Sequence, residues 1–474
     1  MVLQAPGWNL AGEAGKRAVP WLLAVAFFME ALDTTILNTA VPVVARALGV
    51  PPLSMKAVLA SYTLSLAVFI PISGWVADRF GTRRVFAMAI AAFTMGSLLC
   101  GLATNIHMLV ACRVLQGCGG AMMLPVGRLT LVRTFARSEL LRAMSFVAIP
   151  GLVGPMLGPL AGGLVITYFH WRWIFFVNLP FGIIGLWVAW HYLPDYQSQV
   201  RRPLDITGVI LFGSGISLLS YVLEIFGEHT LRGAEIGGLF GISFVLIGGY
   251  ALHALRTPQP LLQFSLFRGR TFRLAVTGSF LTRLGVGGVP FLLPLLYQVG
   301  FGFSPVQSGL LMMPQALAAL SLKMSMPRLL RRFGHRRILI TNTVLIGVML
   351  MLLATVQLDT PLWRVILQVF FFGFLNSLQY TSMNTLVYAD VVDEQASWAS
   401  TIASTVQQMS LSFGVAVASM ATALFIPDRF HCTAEQMITG LHQAFILLGA
   451  ITIGTALVFT GLEPHDGAAV SQHT

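Results

Sequence analysis

Long apolar runs separated by short, basic, polar loops fill the chain from residue 18 to residue 462. Runs long enough to cross a bilayer, about 20 residues each, lie approximately at 18–45, 54–77, 84–104, 107–127, 143–166, 173–192, 206–226, 236–255, 274–298, 305–325, 337–356, 361–383, 399–425 and 440–462, which makes fourteen predicted spans. Backbone polar groups find no water in hydrocarbon, so each run is either a helix or a strand of a closed barrel. A barrel strand alternates apolar and polar positions, and none of these runs does. The pattern predicts an all-α integral membrane protein.

Charge orients it. With the N-terminus inside, alternate loops carry Arg79, Arg83 and Arg84; Arg128, Arg133, Arg137 and Arg142; Arg201 and Arg202; Arg256, Arg268, Arg270 and Arg273; and Lys323, Arg328, Arg331, Arg332, Arg336 and Arg337. The opposite side collects only Arg46, Lys56, Arg172, Arg232, Arg364 and Arg429. Basic loops stay in the cytoplasm, so both termini are expected there, residues 1–17 as the N-terminal segment and 463–474 as the tail. Lys16 and Arg17 before an apolar run look like the start of a signal peptide. Glu30 and Asp33 would interrupt a cleavable apolar core, whereas a permanent first span can hide them inside a bundle.

One hexapeptide recurs. Arg79-Phe80-Gly81-Thr82-Arg83-Arg84 follows the second span, and Arg332-Phe333-Gly334-His335-Arg336-Arg337 follows the tenth, which is the mark of duplicated halves. The expected organisation is an N-terminal six-helix bundle at 18–192, a two-helix insert at 206–255 and a C-terminal six-helix bundle at 274–462. Polar stretches from Pro194 to Asp205 and from Arg256 to Arg273 flank the insert.

Composition agrees with a lipid solvent: 56% of the 474 residues are hydrophobic and 10% charged, against roughly a quarter charged in an ordinary soluble chain. The net charge of +11 does not point to nucleic acid, because the arginines sit in small loop clusters instead of on one polar domain. Cys100, Cys112 and Cys118 fall in apolar runs and only Cys432 in a polar loop, so no disulfide framework is expected. His431 beside Cys432 is the nearest approach to a ligand cluster, and two adjacent loop residues make no metal site. There is no G-x-x-x-x-G-K-[ST] loop, and Gly117-Cys118-Gly119 is followed by Met122 where a dinucleotide motif needs glycine. Nor is there a soluble domain or a nucleophile with a base beside it. The chain is not expected to be an enzyme or to use a cofactor.

Ionisable residues in the spans are the candidate chemistry. Glu30 and Asp33 are three apart in span one and share a helix face. Two close carboxylates in a low-dielectric cavity cannot both ionise cheaply, so at least one is expected to hold an exchangeable proton. Arg113 sits within span four, where a charge costs at least ~2.5 kcal/mol without a partner or water. At 1.5 Å per residue, Asp33 lies roughly 22 Å from the cytoplasmic start of its span and Arg113 at roughly 21 Å in a ~30 Å core. The two can meet, either as a structural ion pair or as a site where Arg113 competes with protons for Asp33.

Four segments carry a family resemblance. Gly74-Trp75-Val76-Ala77-Asp78-Arg79-Phe80-Gly81-Thr82-Arg83-Arg84 closely resembles the signature between spans two and three of major facilitator transporters. Arg113-Val114-Leu115-Gln116-Gly117-Cys118-Gly119-Gly120 is similar to that family's arginine motif, associated with proton transfer. Pro150-Gly151-Leu152-Val153-Gly154-Pro155-Met156-Leu157-Gly158-Pro159-Leu160-Ala161-Gly162-Gly163 resembles its antiporter fingerprint, found in exporters. Glu30-Ala31-Leu32-Asp33-Thr34-Thr35-Ile36-Leu37-Asn38-Thr39-Ala40-Val41-Pro42 looks like the first-span motif of the fourteen-span drug:proton antiporters, in which Asp33 matches most directly.

That resemblance implies a major facilitator fold with two six-helix bundles, a two-helix insert and 14 transmembrane helices. It also implies a conformational switch at Gly74, Asp78, Arg79, Gly81, Arg83 and Arg84, where Gly74 allows close helix approach and the arginines give Asp78 charged partners as the halves rock. The second copy has Arg331 where Asp78 would stand. Gly151, Gly154, Gly158, Gly162 and Gly163 are expected to make a smooth helix face bent by Pro155 and Pro159, as antiporter machinery or as a packing seam. Asn38, Gln116, Arg283, Gln315, Asn376, Gln379 and Gln407 are candidates for the substrate cavity, along with Asn342 and Gln408; most of these amides serve equally as helix-to-helix ties. Arg283 fits an anionic ligand or a carboxylate partner.

The leading expectation is a proton-coupled antiporter in the bacterial inner (cytoplasmic) membrane that exports drugs or other amphipathic molecules by alternating access. A charge crossing about 100 mV is worth ~2.3 kcal/mol, so one proton at about 150 mV sustains roughly a few-hundred-fold gradient, and no nucleotide is needed. A dedicated exporter of one metabolite or siderophore is the second reading and a non-transporting sensor the third. The transport unit is expected to be a monomer, and the sequence names no periplasmic or outer-membrane efflux partner.

Overall fold

The computed structural model describes residues 13–135, 137–197, 203–225, 233–391, 395–426 and 433–467. His431, Cys432 and most of both expected tails lie outside them. Among the described residues there is no strand, and twelve helices are long and apolar enough to cross a membrane. The first six long helices are α1 (Glu13–Ala47), α2 (Lys56–Phe80), α3 (Thr82–Gly101), α4 (Ile106–Thr134), α5 (Arg137–Tyr168) and α6 (Asn178–Tyr192), with one helical turn at Trp173–Phe176 leading into α6. They are followed by α7 (Ile206–Ile225), α8 (Gly233–Arg256), α9 (Arg270–Val286, continued by Val289–Leu295), α10 (Pro305–Leu353), α11 (Leu362–Val387), α12 (Ala396–Phe425) and α13 (Ala434–Phe459). The two expected spans not among the twelve fall on α5 and on the first part of α10.

α10 covers two of the expected spans, and Gly334, with φ 72° and ψ 161°, breaks it between them. Gly81, at the same place in the first hexapeptide, has φ 93° and ψ 143° and separates α2 from α3. These left-handed φ values suit glycine. The sequence repeat is therefore also a repeat of backbone geometry.

Packing follows the small residues. Gly154, Gly158 and Gly162 of α5 lie against Ala31, Thr35 and Ile36 of α1, and a methyl on Gly154 would come 2.7 Å from the Ala31 Cβ. Gly163 faces the other way, onto the Pro305 carbonyl at the start of α10, where Gly309 in turn faces Pro159. Without a hydrophobic drive in lipid, helices hold together by such close approach. Packing at Gly151 lies outside the described residues. α2 packs on α12, and the α7–α8 pair attaches through α7 to α2 and α12. At its base Asp205 accepts N–H bonds from Gly208 (2.8 Å) and Leu261 (3.1 Å) and meets His253 Nε2 at 2.7 Å.

Gly74, which the sequence leads one to expect at a close helix approach, instead has nothing within 4 Å of where its Cβ would be. Gly74 itself is exposed in this conformation.

Candidate functional site

A buried ion pair sits where α1, α3, α4 and α6 converge. The run Gly117-Cys118-Gly119-Gly120 strips α4 of bulk. A methyl on Gly119 would lie 2.5 Å from the Phe93 nitrogen of α3, and one on Gly117 would lie 2.6 Å from the Ser65 Cβ of α2. Gly96 of α3 admits the Gln116 backbone in the same way. The close crossings drive Arg113 and Gln116, one turn apart on α4, onto Asp33 of α1.

Asp33 and Arg113 are each 1% exposed. Arg113 Nη1 donates to Asp33 Oδ2 at 2.5 Å and to Gln116 Oε1 at 2.7 Å. Asp33 Oδ1 accepts from Gln116 Nε2 and from Asn178 Nδ2 of α6, both at 2.8 Å. Asn178 Nδ2 also donates to Ser97 Oγ of α3 at 3.0 Å, and Ser97 Oγ donates to the Phe175 carbonyl at 2.8 Å. The guanidinium lies 4.3 Å from the Tyr62 ring centre, a cation–π contact that offsets part of its lost hydration. Burying two charges costs several kcal/mol each, and only good geometry with extra hydrogen bonds repays it. Here the carboxylate faces three different side-chain donors.

Glu30, one turn before Asp33, joins no hydrogen bond to it. Its Oε2 is buried without a partner and feels the charges of Arg128 and Asp33. Three more orphaned atoms lie on the same cluster, the Tyr62 hydroxyl, Arg113 Nε and Asn178 Oδ1. Polar atoms left unpaired in a protein interior carry a desolvation penalty and call for a reason.

The candidate cavity residues divide. Gln116 was expected there but is fully buried in the ion-pair network, because Gly96 lets α3 close over its backbone. Gln379 is likewise a tie: it donates to Thr343 Oγ1 at 2.7 Å and accepts from Asn342 Nδ2 at 2.9 Å, joining α11 to α10. Asn38 is buried farther along α1, while Gln315, Asn376, Gln407 and Gln408 are half-buried. Arg283 is 2% exposed, its guanidinium 3.8 Å from the Tyr380 ring centre and its Nε donating to Ser279 Oγ at 3.2 Å. Asn376, with Oδ1 buried and unpaired, lies beside Tyr380. Among the described residues no carboxylate pairs with Arg283, so the carboxylate partner considered from sequence is absent from this conformation.

The loop signature is wired differently from expectation. Asp78 pairs with Arg133 of α4 at 2.9 Å and not with Arg79, Arg83 or Arg84, because α4 ends beside it. Arg79 and Arg84 point outward and Arg83 is half-buried. Gly81 leaves room for Asp195, whose Oδ1 accepts from the Arg83 backbone at 3.2 Å, and Thr82 Oγ1 exchanges bonds with Pro194 and Tyr196. Reading the sequence missed Asn178, Tyr62, Ser97 and the Arg133 partnership. A lone amide inside apolar span six was the one available signal, and beside Pro180 it reads as a helix start.

A model of the Major Facilitator Superfamily matches residues 23–415. A putative multidrug resistance protein MdtD of Pectobacterium atrosepticum is 39% identical over 446 residues, covering 94% of this chain and 95% of its own. A protein of the same name from Escherichia fergusonii is 39% identical over 454 residues, covering 95% and 96%. Among solved structures, the POT family transporter PepTSo superposes with a TM-score of 0.70 at 16% identity over 99% of both chains. The nucleoside transporter NupG does so with 0.65 at 13% identity, covering 94% of this chain and 98% of its own. At such identities these structures speak for the fold alone.

Proposed function

The chain belongs to the Major Facilitator Superfamily and is a multi-pass membrane transporter of small molecules, not an enzyme, and on that premise we propose that it is a proton-driven antiporter that exports amphipathic compounds from the cytoplasm. The carrying observation is the Asp33–Arg113 pair, buried at 1% exposure in a four-helix crossing and bonded on both carboxylate oxygens. A buried ion pair is a poor way to stabilise a bundle; it earns its place if protonation works a switch. A proton on Asp33 cancels its charge and releases Arg113, and a membrane potential or pH gradient supplies the proton from one side only. Glu30, half-buried and one turn away, relays it.

Fourteen spans, the two six-helix bundles at 18–192 and 274–462, the insert at 206–255, cytoplasmic termini and placement in the bacterial inner membrane complete the reading. On that topology the contacts of α1 and α5 with later elements, Gln298 Nε2 donating to the Thr39 carbonyl at 2.7 Å and Gly163 against Pro305, sit at the outer face. The present state is then closed to the outside. Asp78–Arg133 and the Gly81 turn form the cytoplasmic switch, and the α5 glycines the surface on which α1 moves.

The relatives named as putative multidrug resistance proteins favour a broad substrate range. Arg283 favours the second reading, a dedicated exporter of an acidic metabolite or siderophore, because a guanidinium without a carboxylate repels cations and attracts anions. Uptake of lipophilic cations, anions and neutral compounds into inverted vesicles, with and without a protonophore, separates the two. Protonophore-sensitive uptake of many unrelated compounds supports the first reading, uptake confined to anions supports the second, and gradient-independent equilibration contradicts proton coupling.

A further inference from the structure

The donors around Asp33 suit a carboxylate and no other state. Oδ1 receives two amide N–H groups and Oδ2 receives the guanidinium. A carboxylic acid carries an O–H that must find an acceptor, and in this arrangement it would meet only N–H groups. One of the two amides has to invert.

Gln116 is held while Arg113 stays, since its Oε1 accepts from Arg113 Nη1 at 2.7 Å and inversion would set N–H against N–H. Asn178 is free: its Oδ1 is buried without any partner. Inversion of that amide places Oδ1 where the acid needs an acceptor. It also ends the 3.0 Å bond from Nδ2 to Ser97 Oγ. The Ser97 hydroxyl then faces an oxygen and turns to donate to it, letting go of the Phe175 carbonyl it now holds at 2.8 Å.

We propose that Asn178 is a positioning residue that registers the protonation state of Asp33, donating to the carboxylate, inverting to accept from the acid, and passing the change through Ser97 to the Phe175 carbonyl at the α6 entry. The proposal rests on the reading of Asp33 as the proton site. What it adds is the route out of that site. Phe175 belongs to the turn that leads into α6, and α6 packs on α3 and α1. The proton on α1 is thereby read by two neighbouring helices.

Infrared difference titration of the full chain reconstituted in lipid tests this with no substrate present. The carboxyl band of Asp33 is the one lost in Asp33→Asn. In Asn178→Leu, which removes donor and acceptor together, that band is expected to move to the higher frequency of a carboxyl whose O–H has no acceptor. Ser97→Ala takes two bonds from the carboxylate state, those with Asn178 Nδ2 and the Phe175 carbonyl, and only one from the acid state, so the midpoint of the band's titration is expected to move to more alkaline pH by roughly half to one unit. A purely packing role for Asn178 or Ser97 moves neither. An unmoved band in Asn178→Leu, or an unmoved midpoint in Ser97→Ala, overturns the proposal, and Ser97→Ala decides alone if Asn178→Leu does not fold. Absence of any titrating band that Asp33→Asn removes counts instead against Asp33 as the proton site.

Discussion

Arg113 and Asp33 stand 80 residues apart in sequence and meet at 2.5 Å, each sealed from solvent, with Gln116 bonded to both. Removing one partner leaves an unpaired charge in a membrane interior, which costs more than the pair is worth. Arg113→Ala is therefore expected to lower stability by about 3–5 kcal/mol, and Asp33→Asn with Arg113→Gln by clearly less than Arg113→Ala alone. Thermal unfolding of the purified variants in one detergent checks the order. Equal losses in the two would show that the charges are not coupled.

The glycine face of α5 makes a contrast with Gly74. Gly154→Leu must push α1 away, because even a methyl there is 2.7 Å from Ala31, and at least tenfold lower transport is expected. Gly74→Ala meets nothing within 4 Å and is expected to leave expression and unfolding temperature unchanged. Expression, unfolding temperature and transport of both variants decide the matter.

Asp78 and Arg133 are 42% and 30% exposed, and an ion pair so open to solvent is worth about 0–1 kcal/mol. Arg133→Ala is thus expected to leave the unfolding temperature nearly unchanged while altering the transport rate severalfold. The exchanged pair, Asp78→Arg with Arg133→Asp, is expected to regain part of that rate. A rate unaffected in both variants would remove this contact from the switch.

Asp205, in the loop before α7, supplies a pH dependence. Burial pushes its carboxyl up, but the hydrogen bond with His253, the N–H groups of Gly208 and Leu261, and the His253 charge together outweigh that and hold it below the usual 3.8. A group depressed in the folded state stabilises above its unfolded value and loses that contribution as pH falls through the folded one. Asp205→Asn is expected to destabilise the α7–α8 attachment at pH 7, with the difference from wild type shrinking below about pH 4. Proteolysis or hydrogen exchange in residues 203–225 against pH reports it.

Much of this architecture was legible because the bilayer constrains it. Run length gave the helices, the recurring hexapeptide gave Gly81 and Gly334 their matching turns, and a depth estimate from helical rise brought Asp33 and Arg113 together. What sequence could not supply was direction around each helix axis. Gln116 and Gln379 read as cavity residues because an amide in a span has the same signature whether it faces a ligand or another helix. Asn178 stayed hidden for the complementary reason: its importance comes from α6 starting beside Asp33, a contact 145 residues apart. The partner of Asp78 was misjudged because the nearest arginines in sequence point outward while Arg133 arrives from α4.

The central claim is that protonation of Asp33 drives export. Accumulation of a transported compound in inverted vesicles, energised by a proton gradient, should be abolished in Asp33→Asn, while gradient-independent exchange of the same compound across the same vesicles persists. Gradient-driven accumulation by Asp33→Asn at the wild-type level would contradict the account.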